Sequence, residues 1–275
     1  MHVNYCEGKG ELNSLFKYAN KFGYDGVELR WKYAFDDLTQ EAYQEKVAKL
    51  KNAYPHFEIV FVGCVNFCRG NKEGINTELV KYLDFLSWAK NNCDTKVMNF
   101  FTGALVCSAS DYWSFHTQGS AIAFEADYDN SANGLQKIGE SAAKLGIKIA
   151  LETHNNYLHD TAKSCKKLME LTNHKAIGIN YDHGNIHLHK NGESIAEVFS
   201  LLKDKIYYAH LKNMVKPVGL DGYFPTRLAD GEINIRNIVE KLKSSSPCPM
   251  VTLEYPCSGD TIYAMQKDIE YFKLI

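Results

Sequence analysis

Short apolar runs of strand length alternate along the chain with amphipathic stretches of helical period. Eight runs have the length and content of buried strands, at residues 3–6, 26–31, 58–66, 96–101, 147–153, 176–182, 206–212 and 250–255. Apolar residues at intervals of three and four predict helices at residues 12–22, 40–53, 78–91, 130–145, 161–171, 194–202, 235–242 and 263–272. This alternation predicts an α/β fold, a (β/α)8 TIM barrel, with residues 1–275 as a single domain.

A doubly wound open sheet is the alternative fold, but no glycine-rich phosphate loop follows the first strand, and this favours the barrel. Two connections, residues 102–129 and 213–234, are longer than packing requires and follow strand ends. Long loops at that face of a barrel usually shape a pocket. They carry aromatic residues such as Tyr112 and Trp113, and Arg227. We predict that Trp113 and Arg227 bind substrate. The alternatives are that the aromatic residues only cover the barrel mouth and that Arg227 is simply solvated.

Composition and charge narrow the classes of protein. Hydrophobic residues make up 45% and charged residues 23%, as in a globular protein with a sizeable core. The net charge of −2 and a pI near 6.6 give no field that attracts polyanions, so no nucleic-acid partner is expected. The first residues lack the pattern of a secretory signal, and no run approaches the roughly 18 apolar residues of a membrane span. The sequence therefore predicts a cytoplasmic protein without a membrane partner, whose eight scattered cysteines are free thiols.

Four of the predicted strands carry, at or within two residues of their carboxyl ends, a residue that can bind a divalent cation: Glu152, Asp182, His210 and Glu254. Side chains alternate along a strand, and in this register all four can point to the barrel axis at similar height. Three carboxylates and one imidazole suit Mn²⁺, Mg²⁺, Co²⁺ or Zn²⁺. Each residue alone has a structural alternative, such as a helix cap for Asp182 or a hydrogen-bonded core position for His210. The coincidence across four strand ends predicts a metal site.

Further residues near these strand ends are candidates for catalysis or substrate binding. Lys212 would place a cation beside the metal, where it could polarise a carbonyl, unless it reaches solvent. His154 and Asn185 are candidate hydrogen-bonding partners of a substrate, and their alternatives are a structural role and ordinary turn chemistry. Glu28 and Arg30 share one face of the second predicted strand, which predicts an ion pair at the barrel mouth.

Six short motifs resemble the xylose isomerase-like barrel superfamily, and more narrowly its sugar phosphate isomerase/epimerase branch, which includes ketose 3-epimerases. They are YDGVEL at 24–29, ALETH at 150–154, GINYDHGN at 178–185, HLKN at 210–213, DGEI at 230–233 and LEY at 253–255. The resemblance implies one divalent ion, Mn²⁺ or Mg²⁺, held by Glu152, Asp182, His210 and Glu254. It also implies that Glu152 and Glu254 form the acid/base pair, and it suggests a homo-oligomer, because members are often dimers or tetramers.

The chemistry implied is proton abstraction next to a carbonyl, with a metal-stabilised enediolate, in a sugar isomerase or epimerase. Two alternatives stay open: a lyase that dehydrates a keto-polyol of the inosose or dehydroshikimate type, and a non-catalytic sugar-binding barrel. Many members have a histidine three residues after the aspartate ligand, where this chain has Asn185. This departure counts against membership of the superfamily's endonuclease branch, which cleaves DNA with a cluster of several metal ions. A small sugar or polyol is the expected partner.

Overall fold

A computed structural model describes residues 1–5, 12–32, 38–108, 113–189, 192–219, 222–254 and 259–275. Within them, seven parallel strands form one sheet in the order β1-β2-β3-β4-β5-β6-β9. These strands are β1 Gly26–Arg30, β2 Glu58–Cys64, β3 Val97–Phe101, β4 Lys148–Glu152, β5 Ile177–Asp182, β6 Ile206–Leu211 and β9 Val251–Leu253. The sheet curls into a nearly closed ring with helices outside, which confirms the TIM barrel prediction.

The helices alternate with these strands: α1 Leu12–Phe22, α2 Gln40–Ala53, α3 Lys72–Cys93, α4 Glu125–Leu145, α5 Ala162–Thr172, α6 His183–His187, α7 Ile195–Leu202, α8 Ile235–Ser245 and α9 Thr261–Phe272. The eight predicted helices are all present. Among the elements that were not predicted are the single-turn helix α6 and an antiparallel hairpin of β7 Asn213–Val215 with β8 Phe224–Thr226 inside the long connection after β6.

The N-terminal residues fill the gap between the two edge strands β1 and β9. Glu28 N–H donates to the Met1 carbonyl at 2.9 Å, and His2 N–H donates to the Leu253 carbonyl at 3.2 Å. The prediction of a strand at residues 3–6 is wrong, because Val3–Tyr5 form a 3₁₀ helix; Cys6 lies outside the described residues. A short apolar run does not by itself distinguish a strand from a helical turn.

Apolar side chains fill the space between the ring and the helices, and strand β5 is buried along its whole length, as expected of a parallel strand covered on both faces. Among the described residues, no helix has the length and apolar character needed to cross a membrane. The prediction of free thiols is confirmed for the six described cysteines, while Cys6 and Cys257 lie outside the described residues.

Candidate metal centre

Four acidic or imidazole side chains from four neighbouring strands meet at the carboxyl end of the ring. Glu152 and Asp182 are the last residues of β4 and β5, His210 lies near the end of β6, and Glu254 follows β9. One ligand atom from each lies within 4.8 Å of the others. All four are buried, with exposed fractions of 3%, 0%, 2% and 8%. The structure therefore brings together the four residues that the alternation of strand positions predicts.

Asp182 and Asn185 show why β5 is followed directly by the short helix α6. One carboxylate oxygen of Asp182 caps the helix by accepting from the Asn185 N–H at 3.2 Å. The Asn185 side-chain amide donates to the other Asp182 oxygen at 2.9 Å and to Glu152 at 3.2 Å. Asp182 is thus both a helix cap and a member of the cluster. Asn185 holds the carboxylates of Asp182 and Glu152 in place.

Lys212 turns inward and does not reach solvent. It is buried, with its Nζ 2.7 Å from Asp182 Oδ2 and 3.2 Å from Glu254 Oε2. Gly184 of α6 gives this side chain room, since a Cβ there would lie 2.5 Å from Lys212 Cγ. The ammonium group therefore lies between two of the candidate metal ligands.

Glu28 corrects one prediction and adds a residue to the site. Among the described residues, its ion pairs are with His2 and His210, and Arg30 is not the ion-pair partner that the sequence predicts. Its Oε2 accepts from His210 Nε2 at 2.7 Å, and its Oε1 accepts from the Asn99 amide at 3.2 Å. Burial acts to raise the Glu28 pKa, but the charges of His210 and His2 and the hydrogen bonds from His210 and Tyr208 together lower it to about 2. An isolated asparagine in the apolar run of β3 was the sequence signal for Asn99.

The cluster carries more negative charge than its own cations offset. Burial raises the pKa of both Glu152 and Asp182 to about 7. Burial also acts to raise the pKa of Glu254, but Lys212 and His210 outweigh it and hold that pKa well below its usual value. A divalent cation would offset the remaining charge, and oxygen ligands with one imidazole are the donors that Mn²⁺, Mg²⁺ and Zn²⁺ accept. The residues present thus fit a metal ion.

A cavity of about 650 Å³ opens above the cluster. Glu254 and Lys212 reach its floor, and the predicted substrate-binding residues His154, Asn185 and Trp113 line it. The Trp113 side chain is 78% exposed, so it lies at the mouth. Side-chain amides and rings make up most of the wall, including two not identified from the sequence as lining residues, Asn4 and Asn156. The cavity combines polar side chains with an apolar lining and has room for a small hydroxylated molecule.

Arg227 does not line this cavity. Its guanidinium contacts Asp230 at 2.6 Å and lies over the ring of Tyr263 at 5.5 Å. Arg227 pairs with a carboxylate only three residues further along its own loop. The apolar periodicity of the sequence carries no information about such a local ion pair. Tyr112 of the same predicted pocket lies outside the described residues.

The chain matches curated relatives over part of their length. It is 30% identical over 98 residues to an inosose dehydratase of Clostridium perfringens, a match that covers 36% of this chain and 32% of that protein. An inosose dehydratase of Lacticaseibacillus casei is 26% identical over 205 residues, covering 69% of this chain and 65% of that protein. The chain therefore spans about a third of the length of the first relative, and about two thirds of the second.

Solved structures share the fold over nearly the whole chain. The IOLI protein with a bound zinc atom aligns with a TM-score of 0.76 and 18% identity, covering 99% of this chain and 95% of that one. A probable 3-DHS dehydratase from Bacillus anthracis aligns with a TM-score of 0.73 and 16% identity, covering 99% and 97%. D-allulose 3-epimerase from Methylomonas sp. has a TM-score of 0.73 and 14% identity, covering 99% and 96%.

The family model described as xylose isomerase-like TIM barrel matches residues 16–275. This confirms the superfamily to which the six sequence motifs point, and ketose 3-epimerases are among the structural neighbours. The chain belongs to the xylose isomerase-like TIM barrel family.

Proposed function

We propose that the protein is a metal-dependent sugar isomerase or epimerase that moves a proton at a carbon next to a carbonyl. The observation that carries this proposal is the buried cluster of Glu152, Asp182, His210 and Glu254, with ligand atoms within 4.8 Å of one another beneath a cavity that five asparagine side chains help to line. When bound there, Mn²⁺ or Mg²⁺ supplies positive charge beside adjacent substrate oxygens, where negative charge develops as the proton leaves.

In this proposal Glu152 and Glu254 carry the proton. They come from strands three apart in the ring, β4 and β9, and so approach the cluster from different sides. An epimerisation uses one carboxylate to remove a proton and the other to deliver one on the opposite face, whereas an isomerisation needs a single carrier. Lys212 donates to the substrate carbonyl or a hydroxyl group. His154, Asn185 and Trp113 orient the substrate hydroxyl groups.

Solvent deuterium incorporation tests the proposal. The protein reconstituted with Mn²⁺ is incubated in D₂O with a panel of ketoses and inososes, and products are read by NMR. We expect deuterium at the carbon next to the carbonyl of one substrate, and a loss of about 10²-fold or more in Glu152→Gln and Glu254→Gln. Glu240→Gln, an exposed position on α8, is the matched control. Full turnover in both site variants would remove the two carboxylates from the mechanism.

A dehydratase is the second candidate, because the curated relatives above are inosose dehydratases. Dehydration begins with the same proton abstraction and then expels a hydroxyl group, so the same residues serve both reactions. The deuterium experiment separates them: exchange with loss of water from an inosose identifies the dehydratase, and exchange with retention of all hydroxyl groups identifies the isomerase or epimerase. Bound metal without exchange on any substrate identifies a sugar-binding barrel.

We also propose a cytoplasmic location and an unphosphorylated sugar or polyol as the substrate. Among the described residues that line the cavity, Lys212 is the cationic one, and Asp182 and Glu254 already pair with it. Apart from a bound metal ion, a phosphate group would meet no further cationic side chain among these described lining residues. A phosphorylated ketose that outcompetes its free counterpart in the exchange assay would contradict this choice of substrate.

A further inference from the structure

Glu28 is a fully buried carboxylate in the middle of β1 that is not one of the four candidate ligands. A buried charge is strongly destabilising unless hydrogen bonds and an opposite charge compensate it. Its Oε2 accepts from His210 Nε2 at 2.7 Å and from the Tyr208 hydroxyl at 2.5 Å. The Glu28 side chain is therefore hydrogen-bonded to the imidazole of His210, which is one of the four candidate ligands.

The two nitrogens of His210 face different groups. Nε2 faces Glu28, whereas Nδ1 lies 3.1 Å from Glu254, 3.4 Å from Glu152 and 4.0 Å from Asp182. A neutral imidazole carries one N–H and one lone pair. If Glu28 holds the proton of Nε2, the lone pair is on Nδ1, at the centre of the three carboxylates.

The same carboxylate is linked to a second candidate ligand. The amide of Asn99 donates to Glu28 Oε1 at 3.2 Å and to Glu152 Oε2 at 2.6 Å, and all three side chains are buried. Because one amide group bridges both carboxylates, the orientation of Glu152 depends on that of Glu28. Two of the four candidate ligands are thus held from one point on β1.

We propose that Glu28 is a positioning residue for the metal site: it fixes His210 with its proton on Nε2, so that Nδ1 binds the ion, and through Asn99 it orients Glu152. This inference rests on the metal site of the proposed function. It does not depend on which reaction the protein catalyses.

The arrangement of protons on His210 is measured directly in the unaltered protein loaded with Zn²⁺, which is diamagnetic. Long-range ¹H–¹⁵N spectra assign the two imidazole nitrogens. We expect a protonated Nε2 and a metal-bound Nδ1. Zinc bound through Nε2, or a titration showing no zinc bound at all, would overturn the proposal without any variant being made.

Metal affinity of Glu28→Gln supplies the second test. The amide keeps the size of the side chain but loses the charge that holds the Nε2 proton, and changes of this kind outside the ligand set typically weaken metal binding about 10- to 100-fold. Asp160→Asn is the matched control: this carboxylate is equally buried, but it accepts from Ser120 and Ser164, outside the cluster. Calorimetric titration with Mn²⁺ gives both affinities, and thermal melting checks folding.

We expect Glu28→Gln to lose affinity at least tenfold while Asp160→Asn binds Mn²⁺ as the unaltered protein does. Equal affinities in Glu28→Gln and the unaltered protein would contradict the positioning role and leave the proposed function intact. Conversely, if the positioning results hold and no substrate exchanges a proton, the proposed reaction fails and Glu28 keeps its assigned role.

Discussion

Replacing Glu152 with glutamine is expected to stabilise the metal-free protein at alkaline pH, although it removes a residue of the site. Burial raises the Glu152 pKa from 4.5 to about 7 in the folded chain. The folded state therefore binds a proton more tightly than the unfolded state. As the pH rises from the unfolded pKa through the folded one, the metal-free protein loses stability, and the full loss is reached above about pH 7.

The magnitude follows from the two pKa values. A difference of about 2.5 pKa units corresponds to about 3 kcal/mol, most of which develops between about pH 5 and about pH 8. Glutamine cannot ionise, so the variant escapes this loss. Its amide also faces the donating amides of Asn99 and Asn185, a conflict of about 1 kcal/mol that is the same at both pH values.

Urea unfolding in EDTA at these two pH values measures the effect. We expect the free energy of unfolding of Glu152→Gln, relative to the unaltered protein, to rise by about 2 kcal/mol or more between about pH 5 and about pH 8. Glu240→Gln, which is exposed on α8, is expected to show no such change. A pH-independent difference for Glu152→Gln would refute the argument that burial leaves an uncompensated carboxylate in the metal-free site.

Three further results are expected. The affinity for Mn²⁺, measured by calorimetry, should fall at least tenfold as the pH is lowered from about 7.5 to about 6. Glu152 and Asp182, each with a pKa of about 7, must lose their protons to bind the ion. An affinity that does not change with pH would contradict this. Lys212→Met should destabilise the EDTA-treated protein by about 3 kcal/mol or more, because Asp182 and Glu254 lose their buried partner. Thermal melting with Mn²⁺ should recover part of this loss. Equal melting temperatures of the variant and the unaltered protein in EDTA would contradict the pairing. Thr39→Ala removes the side-chain cap of α2 and should lower the free energy of unfolding in urea by about 1 kcal/mol, with Mn²⁺ affinity unchanged. A change in affinity would contradict the expectation that this cap is independent of the metal site.

The sequence determined the elements whose signal is local. Helix α2 was predicted with the bounds that the structure has, and strand β5 within one residue, because apolar periodicity is a property of neighbouring residues. The four strand-end residues were also readable, since a parallel ring turns all its carboxyl ends to one face. Their convergence followed from topology once the barrel was assigned.

Tertiary structure decided the contacts that join distant parts of the chain. Glu28 and His210 are 182 positions apart, so their pairing depends on closure of the ring, and the sequence pattern suggested the nearer Arg30. The edge strands β1 and β9 are bridged by the two N-terminal residues, which carry no strand pattern. The inward turn of Lys212 and the local pairing of Arg227 were likewise settled by packing. Side-chain partners are chosen by three-dimensional proximity and burial, and periodicity along the chain carries information about neither.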